Sequence, residues 1–218
     1  MWIKLKTFLL DVFFPKSCLN CGWEGDYLCQ DCQGMLALSG FHEKPSVPHL
    51  EDLYFPLSYQ NPLFKTLLHQ FKYEPFLREL SRTLTDLIIA HFQLLDNQIK
   101  LQDAVLLAVP LHKKRLKWRG FNQAEEIARE LSRFLNIPLL QGCLSRTKET
   151  RPQVELNEEE RKENVKGIFE VTNKELLKDK KILLVDDVCT TGTTLSECAK
   201  ALREAGAREV IGVTLARG

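Results

Sequence analysis

Apolar residues after position 50 occur either in short continuous runs or at helical spacing, and the two patterns alternate along the chain. Continuous runs bounded by polar residues are typical of strands that are buried on both faces of a parallel sheet. The clearest runs lie at residues 104–109, 181–185 and 209–215, and weaker strand candidates lie at residues 53–59, 139–144 and 167–171.

Helical spacing predicts helices at residues 62–72, 76–95, 123–135 and 193–205. Asn61 and Pro62 suit the cap and first position of the earliest helix, and Gly206 suits a left-handed C-terminal cap of the last. A strand, a helix and a strand in succession imply a right-handed parallel crossover. We therefore expect residues 50–218 to form an α/β domain with a mostly parallel sheet.

The first 45 residues contain too few apolar side chains for a core of their own. An amphipathic helix is predicted in residues 1–14, and residues 45–49 (PSVPH) are predicted to be a linker. Between them lie two Cys-x2-Cys pairs, formed by Cys18 with Cys21 and by Cys29 with Cys32. Four thiolates in two close pairs favour tetrahedral structural zinc, although iron–sulfur ligation also uses cysteines. We expect residues 1–45 to be a small zinc-finger module.

Composition narrows the class of protein. Of the 218 residues, 44% are hydrophobic and 27% are charged, which excludes wholesale disorder and a fibrous fold. Because the formal net charge is only +1, affinity for nucleic acid or an anionic membrane must come from local clusters of charge. No stretch approaches the roughly 18 apolar residues of a membrane-spanning helix. Seven cysteines, four of them close together, suit a reducing cytosol, so a soluble cytoplasmic protein is expected.

The segment with most chemical information is ILLVDDVCTTGTTL at residues 182–195, in which a buried strand ends in Asp186 and Asp187. Ligands of open parallel sheets bind at the carboxyl ends of strands, and a helix N-terminus attracts phosphate. Carboxylates accept hydrogen bonds from sugar hydroxyls and coordinate Mg2+. The pattern therefore predicts a site for a phosphorylated ribose. Its candidate phosphate ligands are Thr190, Thr191, Gly192, Thr193 and Thr194.

Two polar segments leave alternatives open. The basic run KKRLKWR at residues 113–119 is predicted to be a loop. It could bind pyrophosphate, merely keep the protein soluble, or contact single-stranded DNA with Trp118 stacking on bases. The residues for the DNA contact would be Lys113, Arg115, Lys117, Trp118 and Arg119. Residues 145–166 are either a flap that closes over a ligand or a surface linker.

Cys189, inside the threonine turn, is either a small filler or a nucleophile.

Together these motifs resemble the ComF (ComFC) competence family, whose members have an N-terminal zinc finger and a type I phosphoribosyltransferase-like domain. The resemblance depends on residues 185–195, on the four cysteines, and on the segments VPLH at 109–112 and RGFNQ at 119–123. It covers nearly the whole chain. Its further positions are Arg146, Gln153, Leu156, Arg161, Asn164, Gly167 and Phe169.

The resemblance implies a Rossmann-like core that binds 5-phosphoribosyl 1-pyrophosphate (PRPP) with Mg2+ and handles incoming single-stranded DNA during natural transformation. Asp186 and Asp187 would bind the ribose hydroxyls, and the threonine turn would bind the 5′-phosphate. Leu111, His112, Lys113 and Lys114 would lie beside the pyrophosphate. Single-stranded DNA and a competence helicase or other uptake proteins would be partners.

Two further points concern activity. Thr190 stands where many purine salvage enzymes of this fold have an Asp, and a threonine cannot act as a general base, so the acceptor of a phosphoribosyl group stays open. The alternative function is a PRPP sensor or a DNA-binding module that uses the pocket without turnover.

Overall fold

The centre of the fold is a parallel sheet of four strands. This computed structural model describes residues 15–44, 47–95, 101–148 and 166–218. The four strands are β1 (Asp52–Tyr54), β3 (Ala104–Ala108), β6 (Lys181–Val185) and β8 (Glu209–Val213), and they lie side by side in the order β1-β8-β6-β3. All five residues of β6 are buried, as expected for a central parallel strand. The predicted α/β fold with a mostly parallel sheet is confirmed.

Helices cover both faces of this sheet. The α-helices of the described residues are α1 (Gln30–Gly34), α2 (Pro62–Lys72), α3 (Leu80–Leu94), α4 (Lys113–Arg119), α5 (Gln123–Leu135) and α6 (Thr193–Glu204), and those that cover the sheet are α2, α3, α5 and α6. Leu183 and Val185 face a core built with α2, α3 and α5, whereas Ile182 and Leu184 face a core built with α6. The alternation follows from the two-residue period of a strand. Among the described helices, none combines the length and apolar composition needed to cross a bilayer.

Short strands extend the carboxyl end of the central sheet. β2 (Leu57–Ser58), β7 (Val188–Cys189) and β9 (Ala216–Arg217) form a parallel sheet in the order β2-β9-β7. β4 (Leu144–Arg146) and β5 (Phe169–Val171) form a separate two-stranded antiparallel sheet. Of the strand predicted at residues 139–144, a single bridge between Leu139 and Leu106 and the beginning of β4 are present.

Three local predictions are wrong. The basic run at residues 113–119 is helix α4, because the His112 side chain caps its start and Gly120, at φ 77°, ends it. The helix predicted from residue 76 begins at Leu80, since Phe76 has a left-handed φ of 54°. Within the predicted linker, Val47 is buried at 1% exposure and belongs to the core, whereas Pro48 and His49 are exposed.

The cysteine-containing segment also contributes to the main core. Cys18, Leu28, Cys29, Cys32 and Leu36 are buried in the same cluster as α2 and α3. The helix predicted in residues 1–14 and most of the predicted flap lie outside the described residues. The proposed division into residues 1–45 and 50–218 stays a prediction.

Candidate functional site

A cavity of about 530 Å3 opens at the carboxyl ends of β3 and β6, where the sequence predicts a ligand site. Its lining brings together an acid pair, part of the threonine turn, four cationic side chains and three aromatic rings. These residues are Asp186, Asp187, Thr190, Thr194, Lys72, Arg115, Arg119, Arg146, Tyr59, Tyr73 and Trp118. Polar groups that converge on one concave surface are typical of a small-molecule site.

The acid pair follows directly on β6. The Asp186 N–H donates to the Val213 carbonyl at 3.0 Å, and the Asp187 carbonyl accepts from the Leu215 N–H at 3.0 Å. The Asp187 N–H in turn donates to Asp186 Oδ1 at 2.8 Å. Backbone bonds on both sides therefore hold the two carboxylates at the edge of the sheet.

Asp186 is the more perturbed of the two carboxyl groups. Burial, together with the negative charge of Asp187, raises the pKa of Asp186 to about 7. Lys72 and Arg146 act in the opposite direction and favour the ionised form. The acid pair therefore changes charge within the neutral pH range, which is a property of many functional sites.

The cations come from separate elements of the fold. Lys72 ends α2, Arg115 and Arg119 lie on α4, and Arg146 ends β4. The Arg119 Nη1 donates to Gln123 Oε1 at 3.0 Å, whereas its Nε is a buried donor without an acceptor among the described residues. Burial lowers the pKa of Arg119. Four cations around one cavity favour a polyanionic ligand.

The threonine turn adjoins the cavity and forms a small concavity of its own. Gly192 has a left-handed φ of 77°, and α6 starts at the next residue. Thr191 Oγ1 and Thr193 Oγ1 are 2.8 Å apart. The concavity shares Asp186, Thr190 and Thr194 with the larger cavity, so the turn and the acid pair belong to one continuous site. Such a helix N-terminus is suited to a phosphate group.

Cys189 is buried inside this turn, at 2% exposure. Burial raises the pKa of its thiol to about 11, so the nucleophilic thiolate is scarce at neutral pH. These properties favour the small filler over the nucleophile.

Aromatic rings form another part of the lining. The Trp118 ring is 56% exposed and lies edge-on to Phe76 and Tyr73, at centroid distances of 5.3 Å and 6.3 Å. The Arg119 guanidinium lies 5.7 Å from the Tyr73 ring centroid. An exposed ring next to cations is able to stack on a planar group of a ligand.

The structure separates the predicted ligand residues into two groups. Leu111, Asp186, Asp187, Thr190 and Thr194 line the cavity, and Thr191, Gly192 and Thr193 line the adjoining concavity. His112, Lys113 and Lys114 line neither, and both lysines are exposed. Of the predicted DNA contacts, Arg115, Trp118 and Arg119 line the cavity, whereas Lys113 and Lys117 do not. Ligand binding by any of these residues stays a prediction.

Sequence reasoning missed Lys72, Tyr59 and Tyr73. They approach the acid pair only through the packing of α2 and β2 against the sheet, and no local motif marks them. The sequence carries a weak signal for Lys72 and Tyr73, because both lie at the C-terminal end of the amphipathic helix predicted at residues 62–72.

The four cysteines form a second candidate site. One sulfur from each of Cys18, Cys21, Cys29 and Cys32 lies within 4.8 Å of the others, as binding to one metal ion requires. The Asn20 side-chain amide donates to Cys32 Sγ at 3.2 Å. The set fits a metal such as zinc, because four thiolates match its tetrahedral preference.

Comparison with known proteins gives consistent results. The model of the phosphoribosyl transferase domain matches residues 116–218. Competence protein F of Haemophilus influenzae is 34% identical over 209 residues, which cover 94% of this chain and 85% of that protein. DNA utilization protein YhgH of Escherichia coli K12 is 32% identical over 197 residues, covering 88% of this chain and 80% of that protein. Competence protein ComFC of Streptococcus pneumoniae is 34% identical over 118 residues, covering 54% of this chain and 50% of that protein. The chain therefore belongs to the ComF/ComFC competence family, with a phosphoribosyltransferase domain and an N-terminal four-cysteine cluster.

Proposed function

We propose that the protein binds PRPP with Mg2+ in the 530 Å3 cavity and acts as a cytoplasmic phosphoribosyltransferase in the handling of incoming single-stranded DNA. One observation carries the proposal: an acid pair, a threonine turn and four cations line one continuous site. PRPP offers the complementary groups, which are two ribose hydroxyls, a 5′-phosphate and a pyrophosphate. The printed names of the relatives, which refer to competence and DNA utilization, support the link to DNA.

Each part of the ligand has a proposed partner. Asp186 and Asp187 accept hydrogen bonds from the ribose hydroxyls, and the turn at residues 190–194 binds the 5′-phosphate. Arg115, Arg119 and Arg146 bind the pyrophosphate, with His112, Lys113 and Lys114 as outer candidates. The two carboxylates also fit Mg2+, which would supply positive charge to the ligand.

Transfer would form a bond between the acceptor and the anomeric carbon while the bond from that carbon to pyrophosphate breaks. The bonding electrons leave with the pyrophosphate, whose charge the arginines stabilise. Positioning of the acceptor next to the anomeric carbon supplies the rest of the rate enhancement. Because Thr190 cannot act as a general base, the proton that the acceptor loses passes to water or to the departing pyrophosphate.

Calorimetry with PRPP and Mg2+ on zinc-replete protein tests the proposal. We expect wild-type protein to bind and the variant Asp186→Asn/Asp187→Asn to lose at least about tenfold in affinity, because an amide is a poorer acceptor and brings its own donors. The control is Glu175→Gln/Glu204→Gln, which makes the same change in charge at two exposed positions. Release of pyrophosphate with bases, amines or DNA as acceptors then tests turnover. Wild-type protein that does not bind PRPP contradicts the proposal.

A second candidate is a DNA-binding module or PRPP sensor without turnover. It is favoured by α4, where Lys113, Lys114 and Lys117 are exposed next to an exposed Trp118. The Asp186→Asn/Asp187→Asn variant separates PRPP binding from DNA binding, and pyrophosphate release by wild-type protein separates a transferase from a sensor. It should lose PRPP, but it should bind single-stranded DNA as well as wild type or better, because two negative charges are gone.

A further inference from the structure

The segment between the cysteine cluster and β1 contacts the threonine turn, and the first contact is made through Arg217. The Arg217 Nη1 donates to the carbonyl oxygens of Thr190 and of Cys189, the latter at 3.3 Å. Its Nε donates to Glu43 Oε2 at 3.1 Å. One guanidinium thus joins two peptide groups of the turn to a carboxylate that precedes β1.

Both ends of this connection are anchored by backbone hydrogen bonds. Glu43 exchanges two of them with Leu53 of β1, at 3.0 Å and 2.9 Å. Arg217 lies in β9 between β2 and β7, and the next residue, Gly218, donates its N–H to the Cys189 carbonyl at 2.9 Å. The guanidinium therefore has little freedom to move relative to the turn.

The second contact is made by Val47. A Cβ atom placed on Gly192 would lie 2.6 Å from Val47 Cγ2, so the turn and this side chain are tightly packed. Val47 is 1% exposed. The same segment thus touches the turn at two separate places.

The direction of a peptide group explains why these contacts matter. In a trans peptide the N–H points away from the carbonyl oxygen of the preceding residue. When Arg217 holds the carbonyls of Cys189 and Thr190, the N–H groups of Thr190 and Thr191 are fixed on the side away from Arg217. A turn with donors already oriented binds an anion without the cost of reorganisation.

We propose that Arg217, held by Glu43, is a positioning residue that orients the threonine turn for a phosphomonoester. The inference rests on the proposed function and deepens it. The chemistry recognised is the phosphate of a sugar phosphate, and the pyrophosphate end of the cavity is independent of Arg217.

The test measures the binding of ribose 5-phosphate and of inorganic pyrophosphate by calorimetry. We expect Arg217→Ala to lower the affinity for ribose 5-phosphate about tenfold and to leave the affinity for pyrophosphate unchanged. Glu43→Gln should give a smaller loss with the same selectivity. Arg217→Lys should also weaken the sugar phosphate, since an ammonium cannot span the carboxylate and both carbonyls. The control is Arg133→Ala, which removes an exposed arginine paired with Glu130 on α5.

The outcomes are distinguishable. Wild-type protein that binds neither PRPP nor ribose 5-phosphate overturns the proposed function and this inference with it, and wild-type protein that binds PRPP but no ribose 5-phosphate overturns this inference alone. If wild-type protein and Arg217→Ala bind ribose 5-phosphate with the same affinity, this inference alone is overturned. An equal loss of both ligands also overturns it, because that result indicates general damage to the fold. Where Arg217→Ala does not fold, Arg217→Lys and Glu43→Gln are judged by the same criteria.

Discussion

The Lys72 Nζ donates a hydrogen bond to Asp187 Oδ1 at 2.7 Å, although the two residues are separated by 115 positions in the sequence. Their side chains are 19% and 16% exposed, so this ion pair is shielded from most of the solvent. It links the end of α2 to the acid pair and places a positive charge beside two adjacent carboxylates. Lys72 therefore offsets part of the repulsion between Asp186 and Asp187.

Replacing Lys72 by Met should destabilise the protein by about 1–3 kcal/mol at pH 8, because a shielded carboxylate loses its partner. The loss should be smaller at pH 5.5, where protonation of Asp186 relieves the repulsion. Urea denaturation at the two pH values measures both effects. The matched control is Lys65→Met on the exposed side of α2. Equal losses for the two variants would show that the ion pair contributes nothing specific.

The raised pKa of Asp186 makes a prediction about pH. Because its pKa is about 7 in the folded protein against an ordinary value of 3.8, the folded state binds more protons than the unfolded state between these values. The stability that this group contributes is therefore complete below the lower value and is lost as the pH rises through about 7. Wild-type protein without ligand should be less stable at pH 8.5 than at pH 5.5.

Asp186→Asn should remove this part of the pH dependence and should be more stable than wild type at pH 8.5. The pH dependence of PRPP binding has the opposite sign to that of stability, since the ionised carboxylate is the acceptor for sugar hydroxyls. PRPP affinity of wild type should therefore rise as the pH increases through about 7. Denaturation and calorimetry across this range measure the two trends, and parallel slopes for wild type and variant would exclude Asp186 as their source.

The part of the site that is local in sequence could be predicted from sequence. β6, the acid pair, the turn and α6 follow one another without interruption, and each signal depends only on near neighbours. The left-handed φ of Gly192 and Gly206 agrees with the turn and cap that glycine favours. Asn61 caps α2 through a hydrogen bond from the Phe64 N–H, as expected from the sequence.

The remaining parts depend on contacts between distant segments. Lys72 meets Asp187, and Arg217 meets Glu43, only after the layers have packed. The prolines on either side of Val47 predict a linker, yet Val47 is buried in an apolar cluster and packs against the turn at Gly192. Helix α4 is a different case, because the local signals for its start and end, His112 and Gly120, are present in the sequence. The dense basic run between them favoured the prediction of a loop instead.

Metal removal should destabilise the whole protein, because Cys18, Cys29 and Cys32 are buried in the same cluster as α2 and α3. Cys32→Ala should lose one equivalent of bound zinc and about 4 kcal/mol or more of unfolding free energy. Cys143→Ala is the control, since Cys143 is equally buried but lies outside the cysteine cluster. Metal analysis and denaturation with and without a chelator make the measurement, and a chelator without effect on wild-type stability would refute the prediction.

The two proposed ligands can be separated on α4, because its cations divide into two groups. Arg115 and Arg119 line the cavity, whereas Lys113, Lys114 and Lys117 are exposed and do not line it. The variant Lys113→Ala/Lys114→Ala/Lys117→Ala should therefore keep its PRPP affinity. If the three lysines contact phosphates of single-stranded DNA, the slope of log affinity against log salt should decrease in magnitude by about 2.

Net charge alone would also weaken DNA binding, so the control must remove the same charge elsewhere. Lys174→Ala/Lys178→Ala/Lys200→Ala does so at three exposed positions outside α4. A long-range effect of net charge would lower the salt slope of DNA binding similarly in both variants, whereas direct contacts would lower it only in the α4 variant. Trp118→Ala adds an independent measurement, since loss of base stacking lowers affinity by about 1–3 kcal/mol without changing the salt slope. An unchanged slope in the α4 variant would remove these lysines from any DNA interface and leave Arg115 and Arg119 to the ligand in the cavity.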